Sequence, residues 1–524
     1  MIKAEMIISY FRNIPRNARY AFCSSVVFGL IAHLYMFTNK LPNYDDLTGL
    51  RAYGAGSVLG RWFLEMLGDA REKLLGNYSM PWLNGMFLVF CIALVSAMTV
   101  HLLNIRDRVL SVLAGGIMVS FAPVMGTAFF MFTAPFYGIA LVFSELAVWM
   151  FLSQKRSLKI IGCVLGVLSI GIYQAYFPFC AALLVLILLR QLFSEKPFVT
   201  ICKNALQYLA LLVVTIIGYL VITRIFWGNE LSSYQGADQM GRLNIAEIPT
   251  IIKTIYSNYR AFHFGEFNGI NSNRMILGGL SMLCICGYIE VGVYAAAQFV
   301  KKNRNSILKG LMSILLVAVF PIAVFGIYLM ASHAYVYSLM FYPLVLCFIM
   351  PVMLLDQWNQ SENGLFNGFP KMEKIVLSVA NVLVVLTLSL STTGYCHYDN
   401  EYYLQIALCK EQTAAIVTTW ITQIKSLEGY RDDMPVAFIG SYHDESYYNA
   451  ENYFPNTYLA GWTNYVLSHQ YLQYMKTYCG YSPTVISDIS ALLAEEEIRG
   501  MPCYPADGSI RIIDGIVVFK FSES

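Results

Sequence analysis

Two carboxylates stand side by side at Asp45-Asp46, in the stretch Lys40-Leu-Pro-Asn-Tyr-Asp45-Asp46-Leu-Thr-Gly-Leu-Arg51. They follow closely on an apolar run over about 20–37. If that run crosses a bilayer, the pair sits near headgroup depth. Just downstream, around Gly60-Arg61-Trp62-Phe63, the residues Val58, Leu59, Trp62, Phe63, Met66 and Leu67 recur at helical spacing, with Arg61, Glu65, Asp69 and Glu72 turned elsewhere. One apolar stripe of this kind predicts an amphipathic helix lying in the headgroup layer, able to pin the acidic pair there. Arg224, Arg274 and His333 fall at the matching ends of other apolar runs. Cations at helix ends commonly snorkel to the interface, and Asp46 can simply cap a surface helix. Three cations at the depth of a carboxylate pair can also hold a lipid phosphate. Carboxylates beside phosphate suit Mg2+ or Mn2+, although the sequence offers no obvious further ligands for either ion.

The elements that would position these groups follow from composition. Of 524 residues, 57% are hydrophobic and 13% charged, where a soluble globular chain carries about 25% charged residues. This excludes a disordered, collagen-like or ordinary cytosolic protein. The net charge of +2 leaves no basic field to hold nucleic acid. A span needs about 20 apolar residues, and runs of that kind lie at roughly 20–37, 82–103, 109–131, 134–152, 159–175, 177–193, 205–226, 275–298, 308–330, 335–355 and 373–395. The fold class expected is a polytopic α-helical membrane protein of about eleven spans. Its membrane domain covers 1–395, with loops at about 38–81 and 227–274 outside the membrane. The apolar stretch after the basic N-terminal segment continues as an anchor without a small-residue cleavage site, so no cleavable signal is expected.

Basic residues give the orientation. With a cytoplasmic N-terminus, 18 of the 35 Lys and Arg fall on inside segments, among them Arg16, Arg106, Arg190 and Arg304, and the short outside turns carry none. That bias sets topology. Trp82 and Trp227 then mark the outer interface and Trp358 the inner one. Residues 396–524 read as a small α/β domain outside the membrane. Its expected elements are a helix over 401–427, a buried strand at 435–440, a helix at 490–499 and a hairpin around Asp514-Gly515. Cys396, Cys409, Cys479 and Cys503 face outward, either as a disulfide pair or as free thiols.

An acidic pair soon after the first span, an interfacial Gly60-Arg61-Trp62 step and about eleven spans with a soluble tail resemble the bacterial serotype-converting glucosyltransferases. These are the GtrII-type membrane enzymes of the GT-C superfamily, and the similarity is best over roughly 40–150. The resemblance implies a glycosyltransferase of the bacterial plasma membrane, N-terminus inside and tail outside. It would move a sugar, glucose in this family, from a polyprenyl-phosphate donor to a hydroxyl of a cell-surface polysaccharide such as O-antigen. Asp45 or Asp46 would then take the hydroxyl proton, a contribution of typically 10²–10⁴-fold. Arg61, Arg224, Arg274 and His333 would steady the charge on the departing phosphate. Where the family leads one to expect an arginine before the tenth span, this chain reads Ala331-Ser-His333-Ala-Tyr335.

Other residues invite a different reading. Glu145 and Glu290 lie inside apolar runs, where carboxylates are costly and often functional. With Arg224 they would line the path of a transporter or flippase for lipid-linked oligosaccharide, although the paired halves usual in transporters are not visible. A scaffold that only displays the tail would need one or two spans. His33 and His101 read as hydrogen-bonded bundle residues, and His443-Asp444 as a turn after the 435–440 strand. The Cys and His show no zinc spacing. No P-loop, G-x-S-x-G or dinucleotide fingerprint is present.

Overall fold

The computed structural model describes residues 14–41, 56–76, 78–194, 196–233, 244–265, 267, 270, 281, 284–301, 303–330, 336–360, 370–440, 442 and 471–523. The chain forms two compact units, the first ending at Asn400 and the second continuing from Glu401.

Long apolar stretches become long helices here because a buried backbone must satisfy its own hydrogen bonds. In order they are α1 (Arg16–Thr38), α2 (Trp62–Leu75), α3 (Pro81–Leu102), α4 (Arg108–Ser120), α5 (Ala122–Phe129), α6 (Ala134–Phe151), α7 (Arg156–Ile172) and α8 (Phe177–Leu192). Then come α9 (Phe198–Trp227), α10 (Ile248–Phe264), α11 (Cys286–Val300), α12 (Arg304–Val324), α13 (Ile327–Met330), α14 (Leu346–Asn359) and α15 (Pro370–Lys425). Among the described residues, nine helices or helix pairs are long and apolar enough to cross a membrane, so the chain is a multi-span membrane protein. The expected spans at 159–175 and 275–298 appear as α7 and α11, of 17 and 15 residues, and most of 275–285 lies outside the described residues.

Proline decides where several helices begin. α3, α5, α6 and α8 each carry it in the first turn, where its missing N–H leaves no bond unmade. Pro123 thereby divides the third apolar run into α4 and α5, with Phe121 extended between them.

Small residues bring the first helices together. A Cβ on Gly115 would lie 2.3 Å from the Ala21 carbonyl oxygen, so α1 and α4 can approach only because position 115 has no side chain. Ser25 Oγ donates to the Gly115 carbonyl at 2.6 Å, and Ser24 Oγ to that of Val112 at 2.6 Å. His33 fulfils the expectation of a bonded bundle residue: its Nε2 lies 2.9 Å from the Val119 carbonyl oxygen. Its Nδ1 lies 3.8 Å from Asp399 Oδ2. Asn400 Nδ2 donates to the Ile31 and Ala32 carbonyls at 3.0 and 3.2 Å, fastening this part of α15 to α1.

The second unit holds a three-stranded sheet in the order β1 (Val436–Ile439), β3 (Ile516–Lys520), β2 (Ile510–Ile513). β1 runs parallel to β3, and β2 forms an antiparallel hairpin with it. Asp514 and Gly515 both have positive φ, the geometry of a two-residue turn whose twist matches the strands. Trp420, buried on the second-unit part of α15, meets Phe519, Phe521, Tyr442 and Tyr471 edge-on or tilted. No Pro follows Pro370 in α15, and the helix expected over 401–427 is its continuation.

The single helix expected at 490–499 is instead two, α17 (Ser490–Ala494) and α18 (Glu496–Arg499), after α16 (Tyr471–Tyr478), with Glu495 extended between them. Leu492 and Ile498 share one buried cluster with Ala437 and Val518. An unbroken helix would turn them about 120° apart. Cys396, Cys479 and Cys503 are free thiols, and the side chain of Cys409 lies outside the described residues.

Candidate active site

One end of the helical bundle collects polar side chains around the chain segment that leads into α2. The segment turns sharply: Ser57–Leu59 forms a single 3-10 turn, and Gly60 then adopts φ +71°. Three donors fix this turn from outside. Gln174 Nε2 reaches the Leu59 carbonyl at 3.0 Å, Tyr219 Oη reaches that of Gly60 at 3.1 Å, and the Ser232 amide reaches that of Val58 at 2.9 Å. Gln174 Nε2 also lies 3.1 Å from Tyr219 Oη, so the two anchors are joined. Glu65 Oε2 accepts from the Ser57 amide at 2.7 Å, closing the turn onto the first turns of α2.

The turn aims two neighbouring side chains. Trp62 enters the bundle, 5% exposed, donates Nε1–H to Thr223 Oγ1 at 3.2 Å, and stacks on Trp227 with ring centroids 5.9 Å apart. Arg61 stands at the N-cap position of α2 and its side chain lies over tyrosines: Nη1 donates to Tyr137 Oη at 3.2 Å, and Cζ stands 5.0 Å from the Tyr173 ring centroid. Those rings stack face to face at 4.1 Å. Tyr137 stands in the first turn of α6, Tyr173 to Tyr176 at the α7–α8 junction, and Tyr219, Thr223 and Trp227 in the last turns of α9. All are helix ends on the same side of the bundle. A cation over a ring face, itself hydrogen-bonded, keeps its fork in a defined place and can meet a phosphate there.

The expected apolar stripe needs correction. α2 begins at Trp62, not at Val58, because Gly60 reverses the chain first. Its buried side chains are Trp62 and Leu64, while Met66 is 55% exposed. Arg61 therefore belongs to the helix cap and the tyrosines rather than to a solvated face.

Of the other candidates, Arg224 is exposed on α9, next in sequence to the Thr223 that anchors Trp62. Asp45, Asp46, Arg274, His333, His443 and Asp444 lie outside the described residues. Among the described residues, no three His, Cys, Asp or Glu side chains come together as metal ligands. Glu145 is fully buried and accepts from Thr99 Oγ1 at 2.7 Å. Glu290 is also buried, and among the described residues neither of its carboxylate oxygens has a hydrogen-bond donor. Gln174, Tyr137, Tyr173, Tyr219 and Thr223 did not stand out in the sequence. The available signal was Tyr173-Gln174-Ala-Tyr176 between two apolar runs, since a glutamine buried there must find partners.

A family model for glucosyl transferase GtrII matches residues 34–348, well over half of the chain. That span includes the Gly60–Trp62 turn and every partner just described. No curated protein matches the chain, and no solved structure does.

Proposed function

The chain belongs to the GtrII glucosyl transferase family, and on that premise we propose that it transfers glucose from a polyprenyl-phosphate donor to a hydroxyl of a cell-surface glycan. The reaction is assigned to the outer face of a bacterial plasma membrane, with the N-terminus in the cytoplasm and residues 396–524 outside. Asp45 or Asp46 accepts the proton of the attacking hydroxyl as its oxygen bonds to the sugar's anomeric carbon. The bond from that carbon to the phosphate oxygen breaks, and polyprenyl phosphate leaves with the electron pair. Arg61, with Arg224, Arg274 and His333 as the further cations, offsets the charge gathering on that phosphate. A lipid-tailed donor arrives sideways through the bilayer, which accounts for a catalytic unit made of spans.

The observation that carries this reading is Arg61, held by Tyr137 Oη and the Tyr173 ring inside the family-matched region. Substitution of the acidic pair tests it. One of Asp45→Asn and Asp46→Asn should slow sugar transfer by about 10²–10⁴-fold with an unchanged melting temperature, the size of a lost general base. Near wild-type rates in both variants would end the assignment. A transporter would move its lipid-linked cargo intact, so release of polyprenyl phosphate in the same assay separates the two classes.

A further inference from the structure

The end of the bundle opposite Arg61 carries charge that sugar transfer does not use. Helix α8 runs from Phe177, beside the tyrosine cluster, to Arg190, a rise of about 20 Å. Near Arg190, three chain segments are tied together. Asp356 Oδ2 accepts from the Arg106 amide at 2.9 Å, and its Oδ1 accepts from the Asp107 amide at 2.8 Å. Gln360 Nε2 donates to the same carboxylate. Gln357 Nε2 donates to the Arg190 carbonyl at 3.1 Å. The Asp356 carboxylate is therefore engaged by three N–H groups.

The Arg190 side chain, half-buried, lies within electrostatic reach of Asp356 and of the like charge of Arg106. Among the described residues its guanidinium makes no hydrogen bond and no ion pair. A snorkelling arginine ends in water and gains by it; one that ends half-buried beside a second arginine does not. The arrangement is a set of five N–H donors next to a like charge, and the nearby carboxylates are already engaged: Asp356 by the three N–H groups above and Asp107, beside Arg106, by the Leu110 amide at 2.8 Å. An anion bonded by both guanidiniums removes the repulsion and supplies the acceptors. Aromatic rings mark the depth. Phe193 stacks on Tyr294 at 3.9 Å and lies 6.5 Å from Trp358, and Trp and Tyr concentrate at membrane–water interfaces. Trp358 is 8% exposed, and among the described residues its Nε1–H has no acceptor and the buried Gln357 Oε1 beside it has no donor.

We propose that Arg190 and Arg106 form a binding site for a phosphate group at this end of the bundle, filled by the headgroup of an anionic phospholipid. The site is independent of the transfer reaction and of Asp45–Asp46.

The test uses the full chain in nanodiscs of phosphatidylcholine, with and without phosphatidylglycerol, reading the melting temperature and the lipid retained in native mass spectra. Phosphatidylglycerol should raise the wild-type melting temperature and stay bound. Arg190→Gln and Arg106→Gln should bind it about ten- to a hundredfold more weakly, the scale of one charge-assisted hydrogen bond. In phosphatidylcholine alone, Arg106→Gln should stay close to wild type in stability, because it removes a like charge beside Arg190 together with an attraction to Asp356. Arg106 is exposed, so this variant keeps the test decisive should Arg190→Gln fold poorly. Arg304→Gln, exposed at the same end, should keep the full response; an equal loss there would mean diffuse surface attraction and overturn the site. Inorganic phosphate at matched ionic strength forms a separate arm. Stabilisation by it alone, lost in the same two variants, would overturn the lipid as source in favour of a free anion. Identical responses in wild type and both variants would overturn the proposal entirely.

Discussion

Arg61 is held by two contacts of different kinds, a hydrogen bond to Tyr137 Oη and the face of the Tyr173 ring. Lysine keeps the charge but loses the planar fork that makes both contacts at once. Arg61→Lys should therefore lower kcat/KM for the lipid donor by about ten- to a hundredfold, the equivalent of one charge-assisted hydrogen bond. Its melting temperature should stay within a few degrees of wild type. Steady-state kinetics at varied donor concentration would check this, and an unchanged kcat/KM would remove Arg61 from the phosphate site. At this scale the sequence was readable in part. Arg61 stood out as a cation near an acidic pair, but Gly60 hid its surroundings. A single left-handed residue shifts the start of α2 and moves Arg61 from a solvated face to a cap over tyrosines, which periodicity alone does not register.

Among the elements, the turn at 56–61 is the one on which the site rests. Its carbonyls are received by Gln174, Tyr219 and the Ser232 amide, so three distant parts of the chain agree on one conformation. A Cβ at Gly60 would meet Tyr219 Oη at 2.4 Å and would occupy a left-handed φ of +71°. Gly60→Ala should cost about 1–3 kcal/mol on backbone strain alone, with further loss as Tyr219 is displaced. Thermal unfolding in detergent measures it, and a melting temperature equal to wild type would contradict the role given to the turn. Element positions were largely legible because length and hydropathy decide them: the apolar runs became helices, and prolines set several starts. The tail hairpin was legible for the same kind of reason, since Asp514-Gly515 supplies the positive φ its turn requires. The split at Glu495 was not, because it answers to where Leu492 and Ile498 must both be buried, a tertiary demand with no local signature.

Across the whole molecule the two ends of the bundle are chemically unlike. One gathers tyrosines, Gln174 and Arg61; the other gathers Arg106, Arg190, Asp356 and the Phe193–Tyr294–Trp358 group. The excess of Lys and Arg in the loops expected inside agrees with this polarity, because helices joined by short turns keep alternate loops on one side. The resemblance read in the sequence, carried by Asp45–Asp46, the Gly60–Trp62 step and the spans, is matched by the family model over 34–348. What composition cannot supply is chemistry at a named carbon atom. The direct measurement is transfer by the full-length chain in sealed vesicles whose extracytoplasmic side faces out. These would be loaded with polyprenyl-phosphate glucose and given the glycan acceptor only from outside. The expected result is glucosylated acceptor with an equal amount of freed polyprenyl phosphate, both lost in the Asp45→Asn, Asp46→Asn double variant. Intact donor in every preparation, or equal turnover by the double variant, would contradict it.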